Sequence, residues 1–445
     1  MKKVIEVFEY EKLKVGDTYS EVKFSQKHFD VLVQWNEKMG GKFLSSGYKS
    51  LSFKNYVGVI RVKDISIEIL PKADKPAEKD ADKTAEKIAD NLPDKNTTTE
   101  KSQWKKALIY MLSVVNDLKI DPSTPAFLKT KNISLMDFFI KMFIKETHTI
   151  IHKGLLKKYR QIDKNSSFIK GKILFQENIK RNLLNKEKCF VRMSTYDYQN
   201  IYNAILKTAI TILRSTYFLQ KSTYDELNNL NLFLENIKSI AAKKIEWSYL
   251  SFNRKNDHYK KALNLARLII ENSTPEIRAG KNEIIAFLFD MNKLFERFIA
   301  KQCLRASKEM TDVKVHSQSK KTFWKSQTIK PDLVFQLNKE NRIADTKWKL
   351  FKSEPSSEDL RQMYVYNIYW QSCMAFLIYP SQEIGEENFA TDNFKKPTQW
   401  LENFQHGVAI LPVNIFKEDG INKENGIELN KNIGRDIIET IERKS

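Results

Sequence analysis

The residues best placed to do chemistry lie in one stretch, IKPDLVFQLNKENRIADTKWKL, positions 329–350. It holds a Pro-Asp at 331–332 and an Asp-Thr-Lys at 345–347. With Lys339 and Glu340 as the two central residues of a tight turn, Asp332 stands opposite Lys347 on the paired strand and Asp345 lies one diagonal away. Side chains alternate along a strand, so Asp345 and Lys347 share a face while Ala344, Thr346 and Trp348 take the other. Any turn of even length keeps Asp332 on that same face; an odd loop or a bulge breaks the set. Two carboxylates and an ammonium gathered on one face are costly unless something holds them together. A divalent cation does so: Mg2+ takes carboxylate, carbonyl and water oxygens and completes its shell with substrate phosphate. With Asp332 and Asp345 as metal ligands and Lys347 orienting or deprotonating water, or stabilising the transition state, the set suits phosphodiester hydrolysis. The same pattern also suits a cross-strand ion pair on an exposed sheet face.

Three further residues bear on the choice. Glu296 sits in an apolar-striped segment ahead of the hairpin, from where a carboxylate can reach the sheet. Gln362 and Tyr366 are four apart in the following helical segment and so share a face, as a pair that hydrogen-bonds nucleic-acid backbone would. Each has a plainer reading, as a solvated helix carboxylate or a helix flank with a half-buried tyrosine.

The elements that must position these residues follow from patterning. Residues 1–71 form a β-rich N-terminal domain. Its YVGVIRVKDISIEILPK has two β-branched runs, 57–62 and 65–70, around a Lys63-Asp64 turn and stops at Pro71. Residues 72–102 have almost no large apolar side chains and many Lys, Asp, Glu and Ala. They read as a charged flexible linker or insertion, or as a solvated charged helix. Residues 103–275 are mainly helical: WKKALIYMLSVVNDL, LMDFFIKMFIKETHTIIHKGLLKKY and YNAILKTAITILRSTYFL carry apolar residues at three-and-four spacing. Within them GKILFQENI and CFVRMSTYDY fit short strands. From 276 the pattern is a long helix with Ile284, Leu288, Met291, Phe295 and Phe298 on one stripe, then two strands, 331–337 and 342–350. A helix opened by Ser356 and Asp359 as a capping box follows, then strands at MAFLIYP and HGVAILPV. That order describes helices on a mixed sheet.

Glu296, KPD at 330–332, ADTK at 344–347 and QMYVY at 362–366 resemble the PD-(D/E)xK nuclease core with a Q-x-x-x-Y helix. FLFDMNKLFERF (287–298), VGVIRVKDISIEILPK (57–72), FIKGKILFQENIKRN (168–182) and YDYQNIYNAILK (196–207) are similar to the McrC family, the nuclease subunits of McrBC-type modification-dependent restriction systems. The likeness spans most of the chain in the expected order; the charged segment 72–102 departs from it. It implies an α+β multidomain chain with a C-terminal α/β restriction-endonuclease-like domain (276–445) and a partner-docking region at 103–275. It implies Mg2+-dependent cleavage of double-stranded, methylated DNA in assembly with a McrB-like AAA+ GTPase whose GTP hydrolysis it stimulates. Asp332 and Asp345 would be metal ligands, Lys347 the catalytic lysine, Glu296 an accessory acid, and Gln362 and Tyr366 support residues.

Composition is consistent with this. A net charge of +20 and a pI near 9.4 suit a polyanionic partner, although a general lysine bias produces the same figures. None of the thirteen glycines belongs to a GxxxxGK[ST] loop, so GTP is expected on the partner and not on this chain. Cys189, Cys303 and Cys373 are widely spaced, without a CxxC, which fits a reducing cytosol and three small core residues. No signal peptide is recognisable, and no apolar run is long enough to span a membrane. His148 and His152 share a helix face but lack the Glu of HExxH and a third ligand. Trp348 is expected to pack under the sheet. The cluster Lys170, Lys172, Lys180 and Arg181 suits either DNA phosphates, a partner or a solvated face. Two rivals stand beside the restriction subunit: a stand-alone repair or defence nuclease, and a non-cutting adaptor that activates a GTPase.

Overall fold

A computed structural model describes residues 3–19, 21–72, 95–117, 135–215, 221–272, 284–349, 354–381, 391–395, 405–417 and 428–444. They form two compact units: residues 1–135 with 286–445, and residues 136–285.

The first unit begins with β1 (Lys3–Phe8), α1 (Gln26–Lys38), β2 (Tyr56–Val62) and β3 (Ile65–Leu70). β2 and β3 form the expected hairpin, closing at Val62↔Ile65 with Lys63 in the left-handed region (φ 51°). β1 runs parallel to β3. β2 is buried along nearly its whole length, as a continuous apolar run in mid-sheet should be. α2 (Lys95–Val115) follows. Residues 95–102, the end of the expected linker, are therefore helical; 73–94 lie outside the described residues. Trp104, Ala107, Leu108, Met111 and Leu112 are the buried stripe of α2. Its buried Lys105 is paired with Glu68 at 2.7 Å and Glu6 at 3.2 Å, as a buried cation must be.

The second unit comprises α3 (Leu135–Lys153), β4 (Lys158–Ser166), β5 (Lys172–Ile173), α4 (Phe175–Asn182), β6 (Cys189–Asp197), α5 (Ile201–Arg214), α6 (Lys221–Phe233) and α7 (Lys260–Asn272). β6 lies between β4 and β5, antiparallel to both. The segment expected as a strand at GKILFQENI is mostly helix: only Lys172 and Ile173 pair with β6, and Phe175 starts α4. Asn200 caps α5 by accepting from the Asn203 N–H. His148 and His152 lie on α3 with ring centroids 6.3 Å apart.

The chain returns to the first unit through β7 (Ile284–Asp290), α8 (Met291–Ala306) and β8 (Val313–Ser317). This corrects the expected long helix. Residues 284–290 are a strand that extends the N-terminal sheet in the order β1-β3-β2-β7. The helical stripe was misleading because Ile284, Ala286, Phe287 and Leu288 are all buried, which a fully covered strand also requires. β2 and β7 approach so closely at Gly58 (φ 133°) that a Cβ there would lie 2.1 Å from the Phe287 carbonyl oxygen. The switch to helix is made by Asp290, whose carboxylate accepts from the N–H groups of Asn292 and Lys293.

A ribbon, β9 (Lys321–Trp324) and β10 (Gln327–Ile329), precedes β11 (Leu333–Leu337) and β12 (Glu340–Thr346). Then come α9 (Ser357–Trp370), β13 (Met374–Ser381), β14 (Thr391–Asn393), β15 (Gly407–Asn414) and α10 (Ile433–Arg443). The six-stranded sheet is mixed, in the order β8-β11-β12-β13-β15-β14, with β12, β13 and β15 parallel. The turn between β11 and β12 is Asn338-Lys339, with φ of 49° and 71°, a type I′ hairpin; it is not Lys339-Glu340. The register is therefore two residues from the expected one, and because the shift is even, the face assignment survives.

The N-terminal and C-terminal stretches are one body, not separate domains on either side of a helical region. β7 pairs into the N-terminal sheet, Gln302 donates to the Tyr110 hydroxyl at 2.9 Å, and Trp348 donates to Glu9 at 2.7 Å. Cys303 is buried and its thiol is pushed up by that burial, Cys189 is intermediate, and Cys373 is exposed, not in the core as expected. No helix among the described residues is long and apolar enough to cross a membrane.

Candidate active site

The two halves of the candidate set meet where β11 and β12 converge at one end of the mixed sheet. β11 pairs with β12 as far as Leu333↔Ala344, so Asp332 and Asp345 are the next residues outward on each strand. Asp332 stands just outside β11, and its Oδ2 accepts from the backbone N–H of Thr346 at 2.8 Å and from the Thr346 hydroxyl at 2.7 Å. Asp345 is 4% exposed, within the part of β12 that pairs with β13. Beyond it the chain is pinned by the Lys347 N–H, which donates to the Ile378 carbonyl at 2.8 Å. Trp348 packs under the sheet, as expected, against Phe295 and Trp104.

Lys347 Nζ faces three acceptors: Asp345 Oδ2 at 2.7 Å, Gln362 Oε1 at 3.0 Å and Asp359 Oδ1 at 3.1 Å. Three acceptors match the three N–H donors of an ammonium. Burial works against its charge, but Asp345 and Asp359 outweigh it and raise its pKa. α9 supplies the other partners. Its N-terminus is set by Ser356, whose hydroxyl accepts from the Asp359 N–H. The Asp359 carboxylate is turned instead to Lys347 and to Lys349, the latter at 2.7 Å. One turn on, Gln362 Nε2 donates to the Tyr366 hydroxyl at 2.8 Å and lies 3.5 Å from Asp345 Oδ1. The Tyr366 hydroxyl donates to the Lys330 carbonyl at 2.9 Å. Gln362 and Tyr366 thus tie α9 to both strands that carry the carboxylates.

Glu296 on α8 accepts from the Gln318 side-chain amide, and the Gln318 backbone N–H donates to the Asp332 carbonyl at 2.9 Å. The six predicted residues thus fall into two hydrogen-bonded groups, Glu296 with Asp332 through Gln318, and Asp345, Lys347, Gln362 and Tyr366, which the paired ends of β11 and β12 bring side by side. Its acids are not alike. Burial, and then Asp345, hold Asp332 above the usual carboxylate range. Asp345 is raised by burial despite the lysine beside it, and Glu296 by burial and by Asp332. Asp359 goes the other way: against partial burial, Lys349, Ser356 and Lys347 bring it to about 2.

Sequence reasoning missed Asp359 as a partner of the lysine, although it lies three residues before Gln362 on the same helix face. It also missed Thr346, because alternation assigns that side chain to the opposite face, and Gln318, which no motif marks.

Among the described residues no three acidic, histidine or cysteine side chains already converge as a complete metal cage. Mg2+ does not require one, since it keeps several waters and uses one or two carboxylates with substrate phosphate. The donor set fits it. Buried Asp345 and half-buried Asp332 lie opposite each other in the register of the two strands, and both Thr346 donors go to Asp332 Oδ2, which leaves Oδ1 to serve as a ligand. Burial and then the neighbouring Asp345 raise Asp332, and a cation would offset both.

A curated relative, the type IV methyl-directed restriction enzyme EcoKMcrBC of Escherichia coli (strain K12), is 27% identical over 170 residues, 35% of this chain and 48% of that protein. The chain thus matches about half the length of that relative. Among solved structures, a chain of the half-complex from the tetradecameric assembly of Thermococcus gammatolerans McrB AAA+ hexamers with bound McrC shares the fold. The TM-score is 0.60 at 20% identity, covering 98% of this chain and 100% of that one. The family model described as McrBC 5-methylcytosine restriction system component matches residues 51–380, most of the chain. The chain belongs to the McrBC 5-methylcytosine restriction system component family.

Proposed function

We propose that this chain is the Mg2+-dependent endonuclease subunit of a GTP-driven, modification-dependent restriction complex, with a PD-(D/E)xK site at Asp332, Asp345 and Lys347. The observation that carries the reading is the convergence of those three side chains at one end of the mixed sheet, braced by Gln362 and Tyr366. A surface ion pair needs neither the burial of Asp345 nor three acceptors on one ammonium.

Asp332 and Asp345 would hold the cation. When bound, Mg2+ supplies Lewis-acid activation of water and neutralises charge on the phosphate. Thr346 fixes the rotamer of Asp332, so that carboxylate needs no reordering. Lys347, held as an ammonium, places a positive charge beside Asp345 and is suited to orienting water or stabilising the charge that builds on the phosphate oxygens. Once Asp345 turns to a cation, Asp359 and Gln362 still retain the lysine. Glu296 is an accessory acid that steers through Gln318 and Asp332. The nucleotide motor would be a McrB-like AAA+ hexamer, in keeping with the McrB-bound assembly whose fold this chain shares. Methylated duplex DNA is the substrate that the family description suggests.

The test is cleavage of methylated and unmethylated plasmid in Mg2+ by the full chain, with and without the AAA+ partner and GTP. Cleavage is expected only with all components, and Asp345→Ala is expected to lower it by about 10²–10⁴-fold with the fold retained, the range for a positioned group acting on reacting atoms. Cleavage by the chain alone would favour a stand-alone nuclease. Asp345→Ala cutting as fast as wild type would leave the charges as an ion pair.

A further inference from the structure

We propose that the β9–β10 ribbon is the surface through which this chain grips the duplex DNA it cuts; the inference rests on the nuclease reading above and identifies the substrate contact of that site. The ribbon is a two-stranded sheet paired only with itself, and residues 320–328 are all exposed. Phe323 is 51% and Trp324 61% exposed. Large aromatics on an isolated ribbon gain nothing from folding by standing in water, so their place is explained by something that covers them.

The charge of the segment says what. From 313 to 331 the sequence has five lysines, at 314, 320, 321, 325 and 330, with His316, and no Asp or Glu. The facing groups on α9 are the Tyr369 carbonyl, which takes Lys321 Nζ at 2.5 Å, and Trp370, whose ring lies 5.0 Å from that nitrogen. Phe323 rests against Tyr369 with ring centroids 5.9 Å apart. Lys321 and Phe323 therefore anchor one side of the ribbon, while Lys320, Trp324 and Lys325 remain exposed. A two-stranded ribbon has the width that the major groove admits, and lysines along it meet phosphates.

The base of the ribbon adds the decisive juxtaposition. On one side Gln318 bonds both Glu296 and the Asp332 carbonyl; on the other, the Lys330 carbonyl accepts from Tyr366. Ile329, the last residue of β10, is three residues before Asp332. The base of the ribbon thus lies within about 10 Å of Asp332, at about 3.3 Å per residue, and a duplex running down the ribbon comes to the carboxylates at that end. A protein partner or a second copy would have no reason to be seated at that spot by the same residues that hold the catalytic acids.

The experiment measures binding of a fluorescein-labelled duplex of about 30 bp to the full chain in complex with its AAA+ partner, in Ca2+ in place of Mg2+, between about 50 and 200 mM salt. Lys320→Glu/Lys325→Glu and Trp324→Ala are compared with wild type and with Lys12→Glu/Lys23→Glu, an equal charge change elsewhere. Expected is roughly a tenfold or greater loss of affinity for the ribbon double variant, with a salt slope shallower by about two, one per lost phosphate contact, and a smaller loss for Trp324→Ala with the slope kept. Ribbon variants that match the Lys12/Lys23 control in affinity and slope overturn the proposal. So does a ribbon variant with unchanged DNA affinity but an altered oligomeric state by light scattering, which would make the ribbon a protein interface. A wild-type complex that neither binds duplex DNA in Ca2+ nor cuts it when Mg2+ and GTP are supplied would overturn the nuclease reading as well; one that does both beside indifferent ribbon variants overturns the ribbon alone.

Discussion

Two strand pairs in this molecule carry opposite charges side by side, and they are not equivalent. On β4 and β6, Arg192 forms a two-pronged ion pair with Asp163 directly across the ladder, and Arg160 reaches diagonally to both oxygens of Asp197. The side chains of both pairs are largely open to water, where attraction is screened and little depends on it. At β11 and β12 the partners are Lys347, Asp345 and Asp359, with the two carboxylates nearly inaccessible. Good hydrogen-bond geometry is common to both regions, so geometry does not distinguish a site from a surface pair. Burial does: it forces the acids at the sheet end to compete for one cation and pushes Asp332 and Asp345 up, whereas Asp163 and Asp197 are lowered by their arginines.

The contrast is sharpest at Lys347. Lys347→Met removes the cation from buried Asp345 and one of the two from Asp359, and is expected to lower stability by about 1–3 kcal/mol, below the range for fully buried pairs because the lysine is partly exposed. It should also lower DNA cleavage by about 10²–10⁴-fold. Denaturant unfolding and cleavage rates together check it; a variant that is active and equally stable would place this lysine with the surface pairs.

A second buried acid offers a pH test. Glu9 is 1% exposed; its Oε1 accepts from Trp348 and from the Lys72 N–H, both at 2.7 Å, while Oε2 is buried without a partner. Burial pushes its pKa up to about 8, against those two bonds. A raised folded-state pKa means that the folded chain holds more protons than the unfolded one between about 4.5 and 8, so stability falls as pH rises through that window. Glu9→Gln should therefore match wild type near the acid end and be more stable by about 1–4 kcal/mol at the alkaline end. Urea midpoints at both ends of the window decide it; parallel pH profiles for the two proteins would show that Glu9 does not titrate in this way.

The smallest effect is expected where charges are most visible. Arg192→Gln should leave the thermal midpoint unchanged within error, since its ion pair with Asp163 lies in solvent. A clear drop would remove the distinction between the two regions.

The site was largely legible before the fold. Asp332, Asp345 and Lys347 share a neighbourhood because strand alternation has a period of two, and an error of two in the register left that parity intact. Gln362 and Tyr366 were legible because helix spacing puts them on one face, and Ser356 because caps have a chemical signature. Asp359 was seen only as part of a cap, since whether its carboxylate turns to the backbone or to a lysine depends on what stands opposite α9. The β2–β3 hairpin was readable from its β-branched runs; β7 was not, because a wholly apolar run satisfies helix and strand templates alike.

By itself, then, the sequence determined the local pieces: which residues alternate, which side chains share a helix face, where hairpins and caps occur, and which family the motifs resemble. These depend on interactions between near neighbours in the chain. Tertiary structure alone decided that 1–135 and 286–445 are one unit, that β7 completes the N-terminal sheet, that Trp348 is tied to Glu9, and that Gln318 joins Glu296 to Asp332. Those contacts join residues far apart in the chain, and the buried ones, such as Trp348 with Glu9, owe their value to excluding water from both partners at once. No window of sequence contains that information, because burial belongs to the packed whole.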